Sequence, residues 1–220
     1  MTIVSLKGYG QDLAKLDSLG VLPEELTSRL QLYQATGGYK AISLSSSDSH
    51  PFFQDPLWVD ATVNYRGQIN THQKVIYDLL QDIVFLSHPV SSFPISLDFK
   101  YIEWFTIGDS YFTKVKGQEG YYELLFESGE LQLFKKYEKL KIVEEYTENF
   151  KYILNEFYYL KKGEEWIKVR GKRTFTKLFP EAKKEINAYY KSTVRSSRNP
   201  RLENTALMLT DFAAKRLINE

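Results

Sequence analysis

GYYELLFESGELQLFKKYEKL (Gly120–Leu140) and NEFYYLKKGEEWIKVRGK (Asn155–Lys172) each alternate apolar with polar residues and break near the middle at a glycine. Successive side chains of a strand point to opposite faces, so this period of two predicts a β-hairpin in each stretch. In the first, a two-residue turn at Ser128-Gly129 sets Phe126 opposite Leu131, Leu124 opposite Leu133 and Tyr122 opposite Lys135. That register gathers Tyr122, Leu124, Phe126, Leu131 and Leu133 on one face and Glu123, Glu127, Glu130 and Gln132 on the other, with Leu125 and Phe134 as exceptions. In the second, a turn at Lys162-Gly163 sets Lys161 opposite Glu164, Tyr159 opposite Trp166 and Tyr158 opposite Ile167, an ionic and an aromatic pairing that disfavour a slipped register. Both faces of this second hairpin are partly apolar, so each side needs a cover.

The cover expected is a C-terminal helical pair. In FPEAKKEINAYYKS (Phe179–Ser192) the residues Phe179, Ala182, Ile186 and Tyr189 or Tyr190 recur at spacings of three and four. Pro180 suits a first helical turn, and Glu181 suits the positive end of the helix dipole. After the break KSTVRSSRNP, Asn199-Pro200 reads as a cap with a first-turn proline. The helix that follows turns Leu202, Ala206, Leu209, Phe212 or Ala213, and Leu217 inward.

Upstream, Val59, Ala61, Val63 and Tyr65 alternate, and Arg66-Gly67-Gln68 reads as a turn. KVIYDLLQDIVFL (Lys74–Leu86) fits either a helical stripe or two short strands turning within Asp78–Asp82. Its density of β-branched and aromatic residues favours strands. FPISLDFKYIEWFTI (Phe93–Ile107) alternates Ile95, Leu97, Phe99 and Tyr101 with polar residues, a half-buried strand, and Gly108-Asp109 links it to SYFTKV (Ser110–Val115). Residues 1–40 read as an arm or covering helix: Pro23-Glu24-Glu25 leads into Leu26, Leu30 and Tyr33, and Gly37-Gly38 stops the pattern. The fold expected is α+β in a single domain, 1–220. It has a mainly antiparallel β meander over 41–172, as a curled sheet, half-barrel or sandwich, with two C-terminal helices over 173–220 packed on it.

With 220 residues, 43% hydrophobic and 26% charged, the chain can bury a sizeable core. It has no cysteine, which removes disulfides, thiolate nucleophiles and cysteine-based zinc sites. No apolar run approaches the roughly 20 residues that cross a bilayer as a helix, and MTIVSLKGYGQDLAKL lacks the apolar stretch of a secretory leader. The net charge of +1 is unevenly spread: residues 158–220 hold 15 Lys/Arg against 7 Asp/Glu, and residues 1–157 hold 14 against 21. Such asymmetry marks either a basic surface for anionic partners or two halves whose charges face each other.

Gly120-Tyr121-Tyr122-Glu123-Leu124-Leu125, Leu133-Phe134-Lys135-Lys136-Tyr137, Tyr158-Tyr159-Leu160-Lys161-Lys162-Gly163 and Lys177-Leu178-Phe179-Pro180 through Ile186 form a set of motifs. This set resembles that of a family of uncharacterised exported or envelope proteins of Bacteroidota. Asp55-Pro56-Leu57-Trp58, Gly67 and Tyr77-Asp78 add to it, so that it covers about residues 55–217. These are aromatic, apolar and turn residues, which specify a fold and carry no chemistry. The resemblance implies a non-enzymatic, envelope-associated binding or interaction protein with a protein or glycan partner there. It places the chain in the periplasm or cell envelope after removal of a leader, with the cytoplasm as the alternative. Two further readings stand beside it: a small hydrolase whose active site has no motif, and a module that binds an anionic polymer (nucleic acid, glycan or lipid headgroup) through the basic C-terminal third.

The residues commit to no catalytic, metal or cofactor site. Phosphate-cradling glycine loops, a dinucleotide fingerprint and a nucleophile elbow are missing from the sequence. His50, His72 and His88 lack metal-ligand spacing. Asp48 and His50 in SLSSSDSHPF lie beside several hydroxyls, but Ser, Asp and Pro clusters are ordinary loop chemistry. Glu144-Glu145 and Glu164-Glu165 read as solvated faces. The basic stretch Lys161–Lys177 interleaves Trp166 and Phe175 with Lys168, Arg170, Lys172 and Arg173. That is a pattern for single-stranded nucleic acid or for a protected sheet edge, and no nucleic-acid motif accompanies it.

Overall fold

The computed structural model describes residues 49–88, 94–143, 150–194 and 201–218. The arm expected over 1–40 and the Asn199-Pro200 cap lie outside them. Among the described residues the strands pair antiparallel and the α-helices are C-terminal, so the chain is α+β with a meander of strands. No helix there is long and apolar enough to cross a membrane. The described residues fall into two compact units, one holding 52–78 and 83–108, the other holding 49–51, 79–82 and everything from 109 onward.

In the first unit β1 (Val59–Tyr65) lies between β2 (Gln68–Asp78) and β5 (Ile102–Ile107), and β3 (Ile83–Leu86) and the two-residue β4 (Ile95–Ser96) follow beyond β2. KVIYDLLQDIVFL is strand, turn, strand, with Tyr77 paired to Val84 and Asp78 to Ile83. Ile76, Tyr77, Val84, Phe85 and Leu86 are all within 2% of complete burial, a consecutive burial that one stripe of an amphipathic helix cannot supply. Arg66 and Gly67 have φ of 55° and 77°, the two positive values of a type I′ hairpin turn. The guanidinium of Arg66 rests 4.0 Å from the Tyr101 ring centre, a contact that offsets part of the cost of its left-handed backbone.

The strand expected through Phe93–Ile107 is instead broken at Asp98. Its carboxylate accepts from the Lys100 amide at 3.1 Å and caps a 3₁₀ turn, Phe99–Tyr101. Ile95 and Leu97 are buried as their alternation implies, but the turn carries Phe99 outward, to 41% exposure.

The second unit orders its strands β10 (Glu165–Val169), β9 (Phe150–Lys162), β8 (Leu131–Val143), β7 (Tyr121–Ser128), β6 (Ser110–Lys114). Both expected hairpins form, each with its turn one residue later than the sequence register places it. Ser128 pairs with Leu131 and Lys162 with Glu165, so the loops are Gly129-Glu130 and Gly163-Glu164. Gly129 and Gly163, with φ of 55° and 57°, hold the first loop position, where a type II′ turn requires a residue free of a Cβ. The pairs that form are therefore Phe126 with Leu133, Trp166 with Lys161 and Ile167 with Leu160.

A bulge between Leu124 and Phe126 then shifts the β7–β8 register, so that Leu124 meets Phe134 and Glu123 meets Lys135. It accounts for the two residues that fit neither face of a regular hairpin. Leu125 and Phe126 pack with Leu131, Leu133, Tyr158 and Leu160. Leu124 and Phe134 pack with Tyr122, Tyr159 and Trp166 on the opposite face.

Three helices, not two, cover the Leu131–Leu160 face: α1 (Lys172–Leu178), α2 (Lys183–Tyr189), which runs into a π-helical turn at Tyr190–Val194, and α3 (Leu202–Ile218). α1 arises inside the stretch read as a basic linker, anchored by Phe175 at 0% exposure. Pro180 precedes α2, whose first residue is Lys183, and does not occupy its first turn. Phe179, Ala182, Ile186, Ala206, Leu209 and Ala213 point inward as their spacing implies, whereas Leu202, at the start of α3, is 38% exposed.

Candidate functional site

β10 ends the strand order of the second unit, and the chain leaves it through Arg170 and Gly171 into α1. This strand-to-helix corner brings Lys168, Arg170, Lys172, Arg173 and Lys177 around one groove of about 670 Å³. Ile167, Leu178 and Tyr190 form its apolar wall, and Glu165 is the one acid in its lining. None of the five basic side chains makes an ion pair or side-chain hydrogen bond with a described residue. Like charges sharing one groove repel one another, and among the described residues Glu165 in the lining and the ring contacts of Lys168 and Lys172 offset this only in part.

The structure separates the aromatics that the sequence interleaves with these cations. Phe175 is core beneath α1, and Trp166 lies across β10, stacked on Tyr159 with ring centres 5.1 Å apart. Rings that remain near the cations are capped by them: Lys168 Nζ is 3.7 Å from the centre of Phe157, and Lys172 Nζ is 5.2 Å from that of Tyr190. The groove is thus an array of charges and not a row of free ring faces.

A second polar cluster lies where α3 meets β8 and β9. Lys135 Nζ bonds Glu156 Oε1 at 2.9 Å and Glu203 Oε2 at 2.5 Å, and the Tyr158 hydroxyl donates to Glu203 at 2.8 Å. Beside it, the Tyr137 hydroxyl donates to Glu123 at 2.5 Å. Burial pushes the Tyr137 and Tyr158 hydroxyls well above the usual phenol value, and their carboxylate partners push them further. Burial alone would lower Lys135, but its bonds to Glu203 and Glu156 outweigh that and hold it above the ordinary lysine value. Burial alone would raise Glu203, and the bonds from Lys135 and Tyr158 bring it below the ordinary carboxylate value instead. Tyr137, Tyr158, Lys135 and Glu203 are thereby held in their resting protonation states near neutral pH, the reverse of what acid–base catalysis needs. The cluster fastens α3 to the sheet.

No protein-family model, curated protein or solved structure matches the chain.

The remaining residues singled out by sequence have structural placements. Ser49 Oγ accepts from the Tyr152 amide at 2.6 Å and the His50 carbonyl accepts from Lys139 Nζ at 2.8 Å, so this end of the serine-rich loop is tied to β8 and β9. Asp48 and Glu144-Glu145 lie outside the described residues. His72 occupies a left-handed bulge position in β2, with φ 54°. Among the described residues no group of three or more His, Asp or Glu is placed to hold a metal. Glu164 falls in the β9–β10 turn and Glu165 on the margin of the basic groove. Sequence reasoning found the groove's charges and missed Tyr190, which only the turn after α2 brings back beside Lys172. The Lys135–Glu203 bond, 68 residues apart in the chain, left no local signal.

Proposed function

We propose that this chain is a non-enzymatic binding protein of the cell envelope that holds an anionic polysaccharide in the basic groove of β10 and α1. The observation that supports it is the convergence of Lys168, Arg170, Lys172, Arg173 and Lys177 on one groove with no ionic partner among the described residues. Such an arrangement costs stability by self-repulsion and is relieved by a polyanion. A glycan is favoured over a single-stranded nucleic acid because the nearby rings of Phe157 and Tyr190 are occupied by lysines, which leaves charge but no stacking platform for bases. The envelope location rests on the family resemblance.

The test is retention on immobilised heparin as salt is raised. The wild type is expected to bind and to elute at a salt concentration set by several contacts, each weakened by screening. The double variant Lys172→Gln/Arg173→Gln is expected to elute with the flow-through while its unfolding free energy stays within about 0.5 kcal/mol of wild type. Retention unchanged in the variant overturns the proposal. Preference for single-stranded DNA over heparin in competition would replace the glycan with a nucleic acid.

A further inference from the structure

Across β10 from the basic groove, the face of the second unit's sheet opposite its helices carries another depression, of about 620 Å³. This is the size range of small-ligand sites. Its chemistry differs from that of the basic groove. The apolar part is Leu124, Phe134 and Trp166, members of the cluster in which Trp166 meets Tyr122 edge-on at 5.3 Å and stacks on Tyr159. The polar part includes a bonded chain of side chains: Lys161 Nζ donates to Gln132 Oε1 at 3.3 Å, and Gln132 Nε2 donates to Glu127 Oε1. We infer that this depression binds a neutral saccharide.

Four observations carry the inference. Lys114, Lys116 and Lys161 stand against Glu127 and Glu164, so the lining is nearly balanced and selects no strong charge, whereas the basic groove sets five cations against Glu165. An amide flanked by an ammonium and a carboxylate offers donors and acceptors in alternation. This suits vicinal hydroxyls, each of which both donates and accepts. Aromatic side chains in the same lining supply the apolar surface on which the C–H face of a sugar ring rests. Finally, the indole N–H of Trp166 is buried and has no acceptor among the described residues. A buried unsatisfied donor costs on the order of 1–3 kcal/mol, and a turn of the Trp166 ring that brings its N–H to the depression lets a ligand hydroxyl oxygen relieve it.

The residues of this site are distinct from the basic groove, so the two stand or fall separately. The test titrates the full chain with cellotetraose, chitotetraose and maltotetraose while following tryptophan fluorescence. The chain has three tryptophans, so Trp166→Phe, which keeps an aromatic ring in the cluster, assigns the signal. A saturable change with at least one tetrasaccharide is expected. It should vanish in Trp166→Phe, weaken roughly tenfold in Gln132→Ala, and persist both in Lys172→Gln/Arg173→Gln and at about 0.5 M salt. Gln132 is half-buried at the surface of β8, and circular dichroism of its variant confirms that the fold is intact. No saturable change with any of the three, or one that survives unaltered in both the Trp166 and Gln132 variants, or one that salt abolishes, overturns the inference.

Discussion

On the helix-covered face of the second unit, Leu133, Leu160, Phe175, Ile186 and Leu209 are all at 0% exposure, whereas across the same strands Tyr159, Trp166 and Leu124 stay half-buried around a depression. The strands are shared, and the alternation along them decides which residue serves which face. Leu131, Leu133 and Lys135 of β8 turn toward the helices, and Gln132, Phe134 and Lys136 turn away. One face is closed by jigsaw packing of aliphatic and aromatic side chains. The other is built of rings with polar neighbours and keeps room for a guest. The difference teaches where to expect stability effects and where to expect binding effects.

The largest effect belongs to the closed face. Phe175→Ala removes a fully buried ring between α1 and the sheet, and is expected to cost about 3–5 kcal/mol in urea unfolding. A loss below about 1 kcal/mol would show that α1 is not held by its single buried residue and would break the contrast between the two faces.

A smaller effect sits at the margin of that face. Removing the Tyr158 hydroxyl deletes its bond to Glu203, expected to cost about 1–2 kcal/mol at neutral pH because Glu203 is partly solvated. The pH dependence adds a sign. Tyr137 and Tyr158 are raised in the fold, so in the unfolded chain they lose their protons first, from about pH 10 upward. The stability tied to their neutral forms is present below that pH and is lost as pH rises through the alkaline range. Tyr158→Phe should make the alkaline fall in stability shallower, as read by unfolding midpoints between pH 8 and 11; an unchanged slope would remove Tyr158 from the account.

Much of this architecture is legible in the residues. β1 and the two hairpins of the second unit follow from alternation, the end of β2 and β3 from the density of β-branched and aromatic residues, and the inward stripe of Phe179, Ala182, Ile186, Ala206, Leu209 and Ala213 from helical spacing. The turn offsets were not legible, because Ser128-Gly129 and Gly129-Glu130 are both acceptable loops and only the ladder decides between them. Leu125 and Phe134 stand in the sequence only as exceptions to a regular register, and the bulge between Leu124 and Phe126 is what accommodates them. α1 was hidden because Phe175 is its one buried residue among seven, too few to show a period. Of the candidate site, the cations of 168–177 were visible as a charge run, while their convergence on a groove depends on the Gly171 corner, with φ of 120°, and on Tyr190 returning beside them.

Gly120 illustrates a constraint that only packing reveals. Its φ is 82°, and a Cβ there would run into Asp82 Oδ2 and Lys136 Nζ, which pair at 3.0 Å. The glycine at the start of the first hairpin is therefore both a backbone requirement and a seat for an ion pair on the face away from the helices.

The most direct measurement of the central claim is hydrogen exchange of the full chain with and without a heparin hexasaccharide. Slowed exchange is expected across Glu165–Leu178, the strand and helix that frame the basic groove, with β1, β2 and β5 unaltered. Protection confined to other segments, or absent everywhere at saturating hexasaccharide, would contradict it.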